Sequence, residues 1–232
     1  GSLAKTLEVS QDSLTQAGIS GSFDAIISAL ITQLTTKTLY NGLSSLSGTN
    51  GYAASYLTPE QQQAQDAAQA LLTDMQARVQ LAQQYGSVQQ GSITDIQNIQ
   101  QRLQAVANCW ESASSSPDLS DAKREMAQSN AKSVLTTIAA YDAQIALYNN
   151  NITKANDAIA ALQDLQTSAI SVTTPADVTA VSNTYNNAKA SGVLVSAADV
   201  TNAQQDRATL QSTLQSRNQQ IPADLQTCNA FH

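Results

Sequence analysis

Residues 131–169 read AKSVLTTIAAYDAQIALYNNNITKANDAIAALQDLQTSA. Taken in steps of seven, one row is Val134, Tyr141, Tyr148, Ala155, Leu162 and Ala169, and the other is Ala131, Ile138, Ile145, Ile152, Ile159 and Gln166. Gln166 alone is polar. Two apolar rows three and four residues apart form the seam of a packed helix, whereas a strand would alternate in steps of two. Asn149-Asn150-Asn151 sits inside the pattern without breaking its phase. The spacing predicts a helix of about fifty residues starting at Pro117 or Ser120, which at 1.5 Å per residue spans roughly 75 Å.

A matching arm lies upstream. Thr58-Pro59-Glu60-Gln61 is a helix start, with Thr58 as cap, Pro59 at the first helical position and Gln61 completing a capping box. One seam row then reads Ala64, Leu71, Arg78, Tyr85, Ser92, Ile99 and Val106. The other reads Ala68, Met75, Ala82, Gln89, Ile96, Leu103 and Trp110. The phase survives Gly86 and Gly91, which favours one helix from Pro59 to Ser112, locally weakened there. The rival reading is two helices, the second capped by Ser92. Ser114 to Asp118 reads as a turn, and two helices of equal length joined by a short turn form an antiparallel hairpin.

The remaining C-terminal chain returns along the hairpin. Thr174-Pro175-Ala176-Asp177 caps a short helix running to Ala190, with Gly192 as its stop. Ser196 and Asp199 repeat the capping-box spacing, and Val200, Ala203, Leu210, Leu214 and Ile221 point one way until Pro222 ends the helix. The two starts look alike, through a small duplication or, more simply, the same capping chemistry used twice. The fold expected is all-α: an elongated antiparallel three-helix bundle over 58–232, with arms 58–113 and 117–170 and returning helices over 174–222. An N-terminal arm and amphipathic helix over 1–57 form a helical appendage. In that helix Phe23, Ile27, Leu30 and Leu34 supply the apolar face. It either folds onto the open end of the bundle or stays exposed for partner contact. Tyr52 and Tyr56, in the following loop, are contact candidates.

Composition narrows the function classes. Of 232 residues, 12% are charged and 4% aromatic, with nine Gly, two Cys, one His and a net charge of -7. The charged fraction is half the usual level of about 25%. Rossmann, TIM-barrel and β-sandwich cores need β-branched and aromatic strands punctuated by Gly turns, and this composition excludes them. Eleven scattered basic residues do not make a nucleic-acid stripe. Lys123-Arg124, flanked by Asp121 and Glu125, reads as a solvated helix face. There is no apolar run of the roughly eighteen residues a membrane helix needs. Gly1-Ser2 without an initiating Met reads as a cleavage scar, so a removed signal peptide or anchor is compatible with the chain.

Chemistry is sparse. The single histidine is the terminal His232, which leaves a triad or a histidine base without partners. No phosphate-binding glycine loop occurs. Asp142, Asp157 and Asp164 lie off the seam, where solvated charge belongs. The Asn151-Ile152-Thr153 sequon falls inside a long helix and carries little weight. No cofactor, metal or enzymatic activity is expected.

Cys109 and Cys228 read as a disulfide, with two buried thiols as the alternative and a metal pair disfavoured for lack of a third ligand. Geometry supports the bridge: if the last helices run back along the second arm, Cys228 arrives beside Cys109 at the hairpin tip. Trp110, next to Cys109, either packs over the disulfide or serves as an exposed contact residue.

The stretch AIISALITQLTTKTLYNGLSSL, residues 25–46, followed by a Gln-rich helical hairpin, resembles exported proteins of bacterial type IV secretion and conjugation systems, including minor pilus components. The resemblance implies an elongated helical bundle with a helical appendage, acting in pilus assembly or adhesion. It rests on composition and helix order and carries over no functional residue. The expected role is a non-enzymatic, exported structural or interaction protein, periplasmic or at the cell surface, with protein partners or self-association. The alternative is a membrane-active toxin or effector inserting the 23–46 helix.

Overall fold

The structure, a computed structural model, describes residues 57–232. The readings placed on 1–56, including Phe23, Ile27, Leu30, Leu34, Tyr52 and Tyr56, lie outside the described residues. The described chain is all-helical, 90% helix with no strand. Its four helices are α1 (Pro59–Ser114), α2 (Asp121–Ile170), α3 (Pro175–Ser191) and α4 (Ala197–Phe231).

Local chemistry sets the starts. The Thr58 hydroxyl accepts from the Gln61 amide at 3.1 Å, and the Gln61 side chain accepts from the Thr58 amide at 2.9 Å. Ser196 and Asp199 exchange the same pair of bonds at 3.1 and 3.0 Å, and Thr174 and Asp177 form a third capping box. Each satisfies two amides that a helix N-terminus leaves orphaned. Ser120, not Pro117, caps α2, its hydroxyl accepting from the Lys123 amide at 3.3 Å. Gly192 ends α3 in the left-handed region at φ 78°, where a side chain would be strained.

α1 is one helix of 56 residues, continuous through Gly86 and Gly91. Of its fourteen predicted seam positions, only Leu71 and Arg78 are not fully buried. A third row in steps of seven is buried at Gln65, Leu72, Val79, Ile93 and Ala107 and half-buried at Gly86 and Gln100. Two rows suffice to meet one partner helix; the third shows that α1 is packed on a wider face.

The chain divides into two compact units. The first comprises 57–85 and Lys154–Val200, that is, the start of α1, the end of α2, all of α3 and the beginning of α4. Leu72, Met75, Leu162, Ile170 and Tyr185 are its largest fully buried side chains, and burial of each contributes about 1.5–3 kcal/mol. α3 turns Val178 and Tyr185, seven apart, inward, and Leu194 and Val195 follow into the core after the Gly192 turn.

The second unit comprises Gly86–Thr153 and Thr201–His232. Gln89 on α1 pairs with Asn151 on α2 (3.0 Å), and Gln100 with Asp142 (2.8 Å). One number rises as the other falls, so these segments are antiparallel. Asp95 pairs with Arg207, Arg102 with Asn218 and Cys109 with Cys228. Those numbers rise together, so α4 runs parallel to α1. Ile96, Ile99, Leu103 and Val106 of α1 meet Ala127 and Ala131 of α2 and Leu214 and Ile221 of α4 in one core. At the turn, Arg124 donates to the carbonyls of Ser116 (3.1 Å) and Leu119 (2.7 Å) and also bonds Asp121. The expected solvated face at Lys123-Arg124 is in part a clasp on the turn.

One boundary is corrected. Pro222 does not end the last helix: α4 continues through it to Phe231. The proline cannot donate to the Asn218 carbonyl, a local cost of about 3 kcal/mol. The packing on either side outweighs it, since Ile221 and Cys228 are buried and Leu225 and Phe231 pack on the core.

Candidate functional site

Two regions of the second unit carry features that packing alone does not require. The first is built on Cys109, in the penultimate turn of α1, and Cys228, in the last turn of α4. Parallel helices bring these residues to the same level, and they form a disulfide with Cα atoms 6.3 Å apart. Trp110 is only 6% exposed and meets Phe231 edge to face, with centroids 5.2 Å apart at 74°. Trp110 is thus packed into this end of the second unit. Lys123 Nζ stands 5.4 Å from the centre of the Phe231 ring, close enough for cation–π attraction.

His232 completes this end. A ligand atom of His232 and the two cysteine sulfurs all lie within 4.8 Å of one another. On sequence alone His232 counts only as the terminal residue, which leaves the cysteines without a third ligand. With the helix running to Phe231, Cys228 falls in its last turn and His232 follows directly after it, four residues on. The signal was therefore present as Cys-x-x-x-His, visible only once helix was allowed through the proline.

The second region is the outer face of α2. Between Lys132 and Lys154 the only charged residue is Asp142. Leu147 is 64% exposed and Leu135 37%, and Ala139, Ala140, Ala143 and Ala146 are exposed with them. A solvent-facing helix surface ordinarily carries charge; this one sets these apolar groups beside a single carboxylate, Asp142, and uncharged polar side chains. Beside it an open groove is lined by Tyr141, Leu147, Tyr148, Leu210 and Asp206, among others. Burial, with the Asp206 carboxylate adding to it, raises the Tyr148 hydroxyl above its ordinary value of 10.0. The seam row Val134, Ile138, Tyr141, Ile145 and Tyr148 is only half-buried here.

Two acidic side chains, Asp74 and Asp95, act as clasps. In the first unit Tyr185 donates to Asp74, and Lys189 pairs with Asp74 at 3.4 Å while standing 4.4 Å from the Tyr185 ring centre. The Tyr185 bond, ahead of the lysine charge, holds Asp74 below 3.8. Burial, then the same carboxylate, pushes Tyr185 well above 10.0. In the second unit Arg207 grips Asp95 at 3.0 Å and Gln211 adds a bond at 3.2 Å. Asp142, Asp157 and Asp164 are exposed. Among the described residues, no helix is long and apolar enough to cross a membrane. Comparison of the chain with models of known protein families, with curated proteins and with solved structures returns no match.

Proposed function

We propose that this chain is a non-enzymatic, exported structural and interaction component of a bacterial envelope apparatus of the secretion or pilus kind, built as an antiparallel three-helix bundle of α1, α2 and α4. The observation that carries the reading is the sparsely charged outer face of α2, where Leu135 and Leu147 are exposed among alanines and Asp142 is the one charge. Contiguous exposed apolar surface supports protein contact. The Cys109–Cys228 disulfide supports an oxidising compartment. The registers of the second unit, antiparallel for α1 with α2 and parallel for α1 with α4, support the bundle. The engagement of Asp74, Asp95 and Asp199 in pairing supports a structural use of the chain's acids.

The test is isolation of the full chain from its native envelope, with and without Leu147→Glu. Under this reading the unaltered chain co-purifies with an envelope assembly, and the variant, still helical by circular dichroism, is lost from it. An unaltered chain that stays free of any assembly and releases dye from liposomes would overturn the reading in favour of the membrane-active alternative.

A further inference from the structure

We propose that the reduced form of this chain holds one thiophilic divalent cation, zinc being the ordinary example, between Cys109, Cys228 and His232. The argument starts from helix register. α1 and α4 run parallel in the second unit and bring the two sulfurs together, and one turn beyond Cys228 the chain supplies an imidazole. With the sulfurs bonded to each other, the two cysteines and the histidine already hold their ligand atoms inside 4.8 Å; on reduction the sulfurs need only part to the roughly 3.8 Å that Zn–S bonds of about 2.3 Å set in a tetrahedral site. Cys228 sits in the last turn of α4 and His232 directly follows the helix end, so the two ligands lie close along the chain. Three protein ligands leave the fourth position to water.

The surroundings suit a cation. Cys228 and His232 flank the last turn of α4, where the unpaired carbonyls form the negative end of the helix dipole. The neighbouring Asn229 Oδ1 lies 3.4 Å from Cys109 Sγ and can accept the thiol proton's hydrogen bond until metal arrives. Trp110 and Cys228 share one buried core, with Phe231 and Cys109 packed against it, while His232 is exposed.

The oxidised protein cannot use this site, because each sulfur is committed to the other. A dithiol reductant attacks the disulfide and leaves as its own disulfide, transferring two electrons and two protons to give two thiols. Cation binding then releases those two protons to solvent as both sulfurs become thiolate ligands. This end of the second unit is thus closed by a covalent bond when oxidised and by a metal when reduced.

The experiment titrates cobalt(II) into the full chain in three forms: oxidised, reduced under argon, and reduced carrying His232→Ala. The expected result is a thiolate-to-cobalt charge-transfer band with tetrahedral ligand-field bands in the reduced chain only. It saturates at one equivalent, releases two protons per metal and is displaced by zinc. His232→Ala, at an exposed position outside the core, weakens binding by more than about tenfold, since losing even a hydrogen-bond partner of a metal ligand costs about 10–100-fold. Any of three results overturns the proposal: no band on reduction, whether or not the helices persist; an equal band in the oxidised chain; or undiminished affinity in His232→Ala.

Discussion

Asp74, Tyr185 and Lys189 show how single residues fasten α3 to α1 in the first unit. Asp74 has its folded value depressed, so its contribution is complete above the ordinary carboxylate value of 3.8 and is lost as pH falls through the lower folded value. Tyr185 has its folded value raised, so its contribution is complete below 10.0 and is lost as pH climbs toward the higher folded value. Both limbs share one hydrogen bond. Tyr185→Phe should therefore cost about 1–2 kcal/mol near neutrality and flatten both limbs of a melting-temperature profile against pH. Equal profiles for the two proteins would contradict the clasp. Gly91 makes a second case. A Cβ there would meet the Arg207 guanidinium at 2.3–2.8 Å, so the glycine makes room for the Arg207–Asp95 pair. Gly91→Ala should gain about 1 kcal/mol of helix propensity in full only when Arg207 is also Ala, and less in the unaltered background. A double-mutant cycle in urea reads the difference; identical gains in both backgrounds would remove the steric argument. None of these pairs was legible in the sequence. They join residues more than a hundred positions apart or, for Gly91, depend on what a distant side chain needs.

Elements were legible where their signals are local or periodic. The three capping boxes, the Gly192 stop and the heptad rows of α1 and α2 need no tertiary information, because caps act over three residues and seams repeat every seven. The third buried row of α1 escaped notice for a physical reason. Gln65 and Gly86 dilute it, and only a helix packed on a broad face buries it. Pro222 misled in the opposite direction: the local rule is sound, but Ile221, Leu225 and Cys228 bury on the core around it. That reading predicts that Pro222→Ala raises stability by about 1–3 kcal/mol in urea unfolding. The restored amide bond to Asn218 counts for the variant, and the freer unfolded chain counts against it. A loss of stability instead would mean that α4 needs the proline for its path.

At the scale of the whole molecule, the second unit depends on two facts of register: α2 opposes α1, and α4 follows it. The sequence made the cysteine pairing legible because equal helix lengths place both sulfurs at one tip. It did not make His232 legible, because that residue joins the site only when α4 outlasts Pro222. Bridging positions 119 apart limits the unfolded chain and contributes about 3–5 kcal/mol by chain entropy. It also reports the parallel course of α1 and α4 more directly than any stability measurement. Trypsin cuts after Arg102, Lys123 and Arg217, leaving Cys109 in peptide 103–123 and Cys228 in peptide 218–232. Mass spectrometry of the unreduced, thiol-blocked digest should find these two peptides joined, at their summed mass less two hydrogens. Finding both cysteines alkylated and the peptides separate would contradict the placement of α4 beside α1.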